Sequence, residues 1–208
     1  MRFLITAGPT REYLDPVRYL SNGSTGRMGA ALAEAAQAEG HHVTLVLGPV
    51  ETEPPAAGEL VRVTSACEMF DAVAERFDAC DAFLAAAAVA DYRPADPSPK
   101  KIKKGEGGRT LRLEPTPDIL AEMARRRRPG QVLVGFCLES EDLEARARAK
   151  LAAKGLDLVV ANGPAAIGAQ RQDALLIGRE GTCQRLAGAT KMDLARRILA
   201  AVEAVAAS

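Results

Sequence analysis

A chain of 208 residues that is 48% hydrophobic can bury one substantial core, and its length suits a single domain spanning 1–208 better than two small ones. Its 27 basic and 27 acidic residues cancel, so no global field would hold it on nucleic acid or an anionic membrane, and any anion site must be local. Cys67, Cys80, Cys137 and Cys183 are scattered without a C-x-x-C pair, which points to reduced structural thiols rather than a zinc site or disulfide framework.

The first element is an apolar strand, RFLIT (2–6), with neither the long apolar run of a signal peptide nor that of a membrane span, and the expected location is cytoplasmic. The turn behind it, TAGPTRE, lacks G-x-G-x-x-G, and the chain contains no G-x-x-x-x-G-K-[ST]; neither the dinucleotide fingerprint nor the P-loop is present. A phosphate therefore needs another cradle. SNGSTGRMG (21–29) offers one, because small residues leave backbone N–H groups uncovered where a helix over 26–39 begins, and Ser24 and Thr25 add hydroxyls. Taken alone, such a turn more often only caps its helix through Ser24 or Thr25.

Further on, short β-branched runs alternate with alanine-rich helical stretches, the pattern of a mostly parallel α/β sheet with helices on both faces. Strands are predicted at HVTLVL (42–47), LVRV (60–63), AFLAAA (82–87), VLVGF (132–136) and DLVVA (157–161). Helices are predicted at 66–78, 117–127, 141–154 and 190–205, with Pro117 in the first turn of the second of these. ALLIG and TCQRLA form a hairpin-like pair at an antiparallel edge. Two long polar stretches, 49–58 and 94–108, read as functional or mobile loops.

The strand at AFLAAA runs into AAVADYRP, whose alanines let a flat ligand lie on the backbone, and the following KKIKK carries four lysines on a glycine-rich loop. Such a run is usually a solvated surface, yet a lysine that folds over a nucleotide would neutralise phosphate charge. The arginines 125–128 close a helix and read as partners of its negative end rather than as a binding patch.

ITAGPTREYLDPVRYLSNGSTGRMGAALAEAA, AAVADYRP, KIKK, PTPDIL, VGFCLES and KLAAKGLDLVVAN together span nearly the whole chain, and in this order it resembles the phosphopantothenoylcysteine synthetase family of coenzyme A biosynthesis. It departs from the family pattern at Pro9, where a second glycine is common, at Cys137, where alanine is common, and over 163–172, which lack an expected Phe- and Asn-bearing loop.

The resemblance implies a Rossmann-like homodimer that ligates 4'-phosphopantothenate to L-cysteine through an acyl-nucleotidylate, with CTP favoured over ATP and Mg2+ carried largely by phosphate and water. It implies that Gly8, Ser24, Gly26 and Gly29 hold the substrate phosphate, that Asn22 donates to the acyl oxygen, and that Arg18 reaches a ligand in the partner subunit. Ala85, Ala86, Ala87, Asp91, Pro117 and Asp118, with Ile119, Leu120 and Phe136, would surround base and ribose; Lys101, Lys150 and Lys154 would meet the phosphates. A phosphopantothenoylcysteine decarboxylase, separate or fused, is the implied companion, and whether the chain is a free-standing ligase or an excised domain stays open. Two readings from other classes remain: a non-enzymatic nucleotide-binding regulator, and an extended-Rossmann oxidoreductase, for which a glycine triad and a Tyr-x-x-x-Lys pair are missing.

Overall fold

The computed structural model describes residues 1–56 and 58–208. In chain order the elements are β1 (Arg2–Ala7), β2 (Arg11–Tyr13), β3 (Tyr19–Ser21), α1 (Arg27–Ala38), β4 (His42–Leu47), β5 (Glu59–Arg62), α2 (Ala66–Arg76), β6 (Ala82–Ala85), β7 (Tyr92–Pro94), β8 (Leu113–Pro115), α3 (Ile119–Arg126), β9 (Val132–Leu138), α4 (Leu143–Ala153), β10 (Leu158–Asn162), β11 (Arg171–Gly178), β12 (Cys183–Thr190) and α5 (Lys191–Ala206).

Eight strands form one sheet in the order β12-β11-β10-β9-β6-β1-β4-β5. The six from β5 to β10 run parallel, while β11 and β12 are antiparallel at the edge. Alternate residues of the inner parallel strands enter opposite cores, which explains why these strands are largely apolar, whereas the edge strand β5 is mostly exposed. Phe3, Ile5, Leu45, Leu84, Val134 and Val160 pack under α1 and α5. Leu4, Val46, Phe83, Leu133 and Val159 pack under α2, α3 and α4. The sheet is thus a doubly wound, Rossmann-like α/β layer, and its winding reverses between β1 and β6, where a crevice opens beyond the strand ends.

Some predicted boundaries shift. β6 ends at Ala85 rather than Ala87, because the backbone leaves the sheet to pass the loop after β1: Pro9 bridges Ala88, and the Ala88 N–H donates to the Gly8 carbonyl at 2.9 Å. Pro117 stands ahead of α3 rather than in its first turn, since Asp118 is the cap and its carboxylate accepts from the Ala121 N–H at 3.0 Å. Two small sheets, β2–β3 and β7–β8, went unpredicted; the second encloses much of the long 94–108 stretch. The arginine run is spent on bracing: Arg126 reaches the Ala74 carbonyl, Arg127 pairs with Asp157 and Arg128 reaches the Cys80 carbonyl.

Candidate functional site

The chain between β1 and α1 makes a short excursion through β2 and β3 and returns to start α1 directly over the end of β1. Gly26 is the cap of α1, in the left-handed region at φ 75°, and no side chain caps this helix. The capping role open to Ser24 or Thr25 is therefore not filled; Ser24 Oγ instead accepts from the Gly26 N–H at 3.3 Å. Gly29 serves close approach: a Cβ there would sit 2.3 Å from the Ala7 Cβ, so only glycine brings the helix end against the strand. Gly8, also left-handed at φ 78°, leaves room for the Gly48 carbonyl and Val50.

Over this helix end lies a cavity of about 320 Å³. Asn22 to Met28 form one wall, Ala86 to Ala88 the second, Phe136 to Leu138 with Asn162 the third, and Ala166 to Gly168 with Lys191 the fourth. None of its lining residues is a carboxylate. Asn22 donates both amide hydrogens, to the Ala88 carbonyl at 3.0 Å and the Val89 carbonyl at 3.1 Å, which fixes its amide orientation because two acceptors face one nitrogen.

Phe136 links this cavity to a second group. Its carbonyl accepts from Lys150 Nζ at 2.5 Å, and one turn further along α4 Lys154 Nζ pairs with both oxygens of Asp118 at 2.9 and 2.8 Å. Burial, reinforced by the neighbouring Lys154 ammonium, pushes the Lys150 pKa below the ordinary lysine value. Burial acts to raise the Asp118 carboxyl, but the lysines and the Ala121 N–H outweigh it and hold the pKa below the usual value. Asp91 lies close enough for its charge to act on Lys150. Ile119 and Leu120 are buried in the core below, and Ala85 stays in the strand rather than in the cavity wall.

Arg18 and Lys101 are placed elsewhere. Arg18 Nε pairs with Asp15 at 3.0 Å, its Nη2 donates to the Ile102 carbonyl at 2.6 Å, and the Ile102 N–H donates to Asp15 at 3.0 Å. This knot holds the lysine loop against the β2–β3 turn, with Lys101 exposed and outside the cavity lining. The Arg18 guanidinium and three backbone N–H groups hold the buried Asp15 carboxyl well below the usual range. Sequence reasoning missed Asn162, Ile167 and Lys191 as cavity residues and took in Arg27 only as part of SNGSTGRMG. Lys191 follows a capping threonine and carries no local signal beyond that of a helix start.

A mostly parallel, doubly wound sheet with a cavity at its switch point, lined by an uncapped helix end and by cations without carboxylates, defines an α/β protein of the Rossmann-like class. More narrowly, residues 1–205 match the DNA/pantothenate metabolism flavoprotein C-terminal domain, and the chain belongs to that family. It is 44% identical over 207 residues to the coenzyme A biosynthesis bifunctional protein CoaBC of Bacillus subtilis, covering 97% of this chain and 51% of the relative. The CoaBC protein of Mycobacterium tuberculosis is 40% identical over 218 residues, with 97% and 51% covered. The chain thus spans about half the length of these curated relatives. Among solved structures, the C-terminal domain of a CoaBC protein superposes with a TM-score of 0.84 at 36% identity, covering 98% of this chain and 94% of that one.

Among the described residues no helix is long and apolar enough to cross a membrane.

Proposed function

We propose that this domain ligates 4'-phosphopantothenate to L-cysteine, using a nucleoside triphosphate, for which CTP is favoured. The observation that carries the reading is the acid-free cavity over an uncapped helix end, joined through Phe136 to the Lys150–Lys154 pair. One half suits an anionic acid, and the other a phosphate chain.

In this reading the substrate carboxylate attacks the α-phosphorus, pyrophosphate leaves, and the cysteine amine then displaces the nucleoside monophosphate from the acyl carbon with loss of a proton. Ser24, Gly26 and their neighbours hold the substrate phosphate at the helix end. Asn22 donates to the acyl oxygen by exchanging one of its two carbonyl partners for it, and so favours the developing oxyanion. Ala86 and Ala87 line the nucleotide's approach, and Lys150 and Lys154 offset its phosphate charge. Magnesium would arrive on the triphosphate, held by its oxygens and water, since the cavity lining contains no carboxylate ligands.

Arg18 and Lys101 enter through a homodimer. Tyr13, Val17, Tyr19, Tyr92, Leu111 and Leu113 are large apolar side chains left exposed on or beside the two small sheets, a surface suited to a second copy. Arg18, half-exposed in the turn between β2 and β3, would in such a dimer carry itself and the lysine loop toward the partner's site.

Pyrophosphate release with phosphopantothenate, cysteine and either CTP or ATP tests this. Release that needs phosphopantothenate, with kcat/KM several-fold higher for CTP, is expected. Equal rates would make ATP an equivalent donor, and nucleotide binding without release would favour the regulator reading.

A further inference from the structure

Residues 86–91 leave the end of β6, wall the cavity with Ala86 to Ala88 and run on to Asp91. Side chains from β1, from the β1–α1 excursion and from the turn before α3 hold this stretch. The Ala87 N–H donates to Thr6 Oγ1 at 3.3 Å, and the Asn22 amide donates to the Ala88 and Val89 carbonyls. Ala90 is gripped on both sides: its N–H donates to Thr10 Oγ1 at 3.0 Å, and its carbonyl accepts from the Thr116 hydroxyl. The Thr116 N–H donates in turn to the Asp91 carbonyl at 3.0 Å. Thr10 also faces the other way, since its carbonyl accepts from the Ser21 hydroxyl at 2.7 Å, next to Asn22, and its N–H donates to the Ala88 carbonyl at 3.3 Å. Thr10 is fully buried, and Thr116 stands just ahead of Asp118, the partner of Lys154.

These bonds close a ring through Thr10, Ser21, Asn22, Ala88 and Ala90, and Thr116 carries it on toward the Asp118–Lys154 pair. Ala90 lies beyond the last residue of β6, so its N–H and carbonyl have no neighbouring strand, and two hydroxyls take that place. Neither threonine lines the cavity, and any influence on it passes through the backbone they hold. In the ligase reading, Asn22 gives up one of its carbonyl partners to reach the acyl oxygen. At that moment the wall loses part of its hold, and the Thr10 and Thr116 bonds remain. We propose that Thr10 and Thr116 are positioning residues: by clamping Ala90 they keep the Ala86–Asp91 wall in place while the Asn22 amide turns to the acyl group, and so hold acid and nucleotide in line for transfer. The inference rests on the ligase reading above.

Steady-state constants with CTP, phosphopantothenate and cysteine, together with Tm, test it in the wild type and in Thr10→Val, Thr10→Ser, Thr116→Val and Thr116→Ser. Valine removes the hydroxyl at nearly the same shape, whereas serine keeps it. Each valine variant is expected to lose about 10- to 100-fold in kcat with KM for every substrate within about threefold of wild type, because alignment is spoiled while no ligand contact is removed. Each serine variant should recover most of that loss. A valine variant that is less stable but keeps its kcat, a loss confined to KM, or serine variants as slow as the valine ones overturn the proposal. Should Thr10→Val unfold, the half-buried Thr116 carries the test. If the wild type makes no product, the ligase reading fails by itself, and amide hydrogen exchange then decides the clamp: the Ala90 amide should exchange about tenfold faster in Thr10→Val than in Thr10→Ser, with β6 unchanged, and equal exchange sinks it.

Discussion

The two ends of the sheet treat charge in opposite ways. At the N-terminal ends of the parallel strands, cations meet carboxylates: Arg2 pairs with Asp81 at 2.8 Å, Arg76 with Glu59 at 2.9 Å, and Asp157 takes Arg127 at 3.0 Å and Arg179 at 3.1 Å. At the C-terminal ends, Arg27 and Lys191 have only carbonyl and amide oxygens, α1 has no side-chain cap, and no carboxylate lines the cavity. Satisfied charge makes one end a brace. Around the cavity, two cations that have no carboxylate partner among the described residues, together with an uncapped helix end, give the other end what the proposed ligand site requires, while the Lys154–Asp118 pair stands outside the cavity lining.

The largest effect should come from breaking the brace. Asp157 is 7% exposed and also accepts from the Leu133 N–H at 2.8 Å, so Asp157→Ala leaves two arginines and a buried N–H without their acceptor. A loss of about 3 kcal/mol is expected. At about 2–4 °C per kcal/mol for a domain of this size, calorimetry should record a Tm drop of roughly 10 °C. Substrate constants of the folded variant should not change, and an altered KM for phosphopantothenate would show that the two ends are coupled.

A smaller loss of stability with a clear effect on the site is expected from Gly29→Ala. The new methyl would overlap Ala7, costing about 1–3 kcal/mol, and relief requires the first turn of α1 to move off the strand that positions it. Denaturant unfolding should show the loss, and KM for phosphopantothenate should rise with it. Unchanged KM at reduced stability would mean that the helix end does not hold the phosphate.

What the sequence revealed follows the same division. The central parallel strands were legible because burial on both faces favours apolar runs, as in the AFLA of β6, and HVTLVL matches β4 residue for residue. REY and YLS carry no such pattern, since β2 and β3 lie outside the main sheet and are fixed by the turn between them. SNGSTGRMG was legible from its small residues as the turn that opens α1. That Gly26, rather than a hydroxyl residue, forms the cap was not, because Ser and Thr are the common caps and only the left-handed backbone at Gly26 shows otherwise. Lys191 joins the cavity through the return of β12 and α5 to the start of α1, some 160 residues away in sequence, and no local pattern encodes that approach.

The smallest and most local effect concerns the knot that sets Lys101 apart from the cavity. Asp15 accepts from the N–H groups of Val17 at 2.9 Å, Arg18 at 3.0 Å and Ile102 at 3.0 Å, besides its pair with the Arg18 guanidinium. An asparagine can keep the first two bonds through its one oxygen, but its amide would then face the Ile102 N–H, donor against donor. Asp15→Asn should therefore release the lysine loop while the main sheet stays folded, and trypsin should cut at residues 100–104 faster than in the wild type. The pH dependence gives an independent check. Because the native carboxyl titrates below its unfolded counterpart, the unfolded chain takes up more protons in acid; the stabilisation is complete above about pH 4 and is lost as pH falls through the lower native value. The variant lacks this titration, so its stability should fall less steeply than the wild type's below pH 4. Equal acid slopes together with unchanged cleavage would show that the Asp15 knot does not restrain the loop, and Lys101 would then be free to approach the cavity without any rearrangement at Arg18.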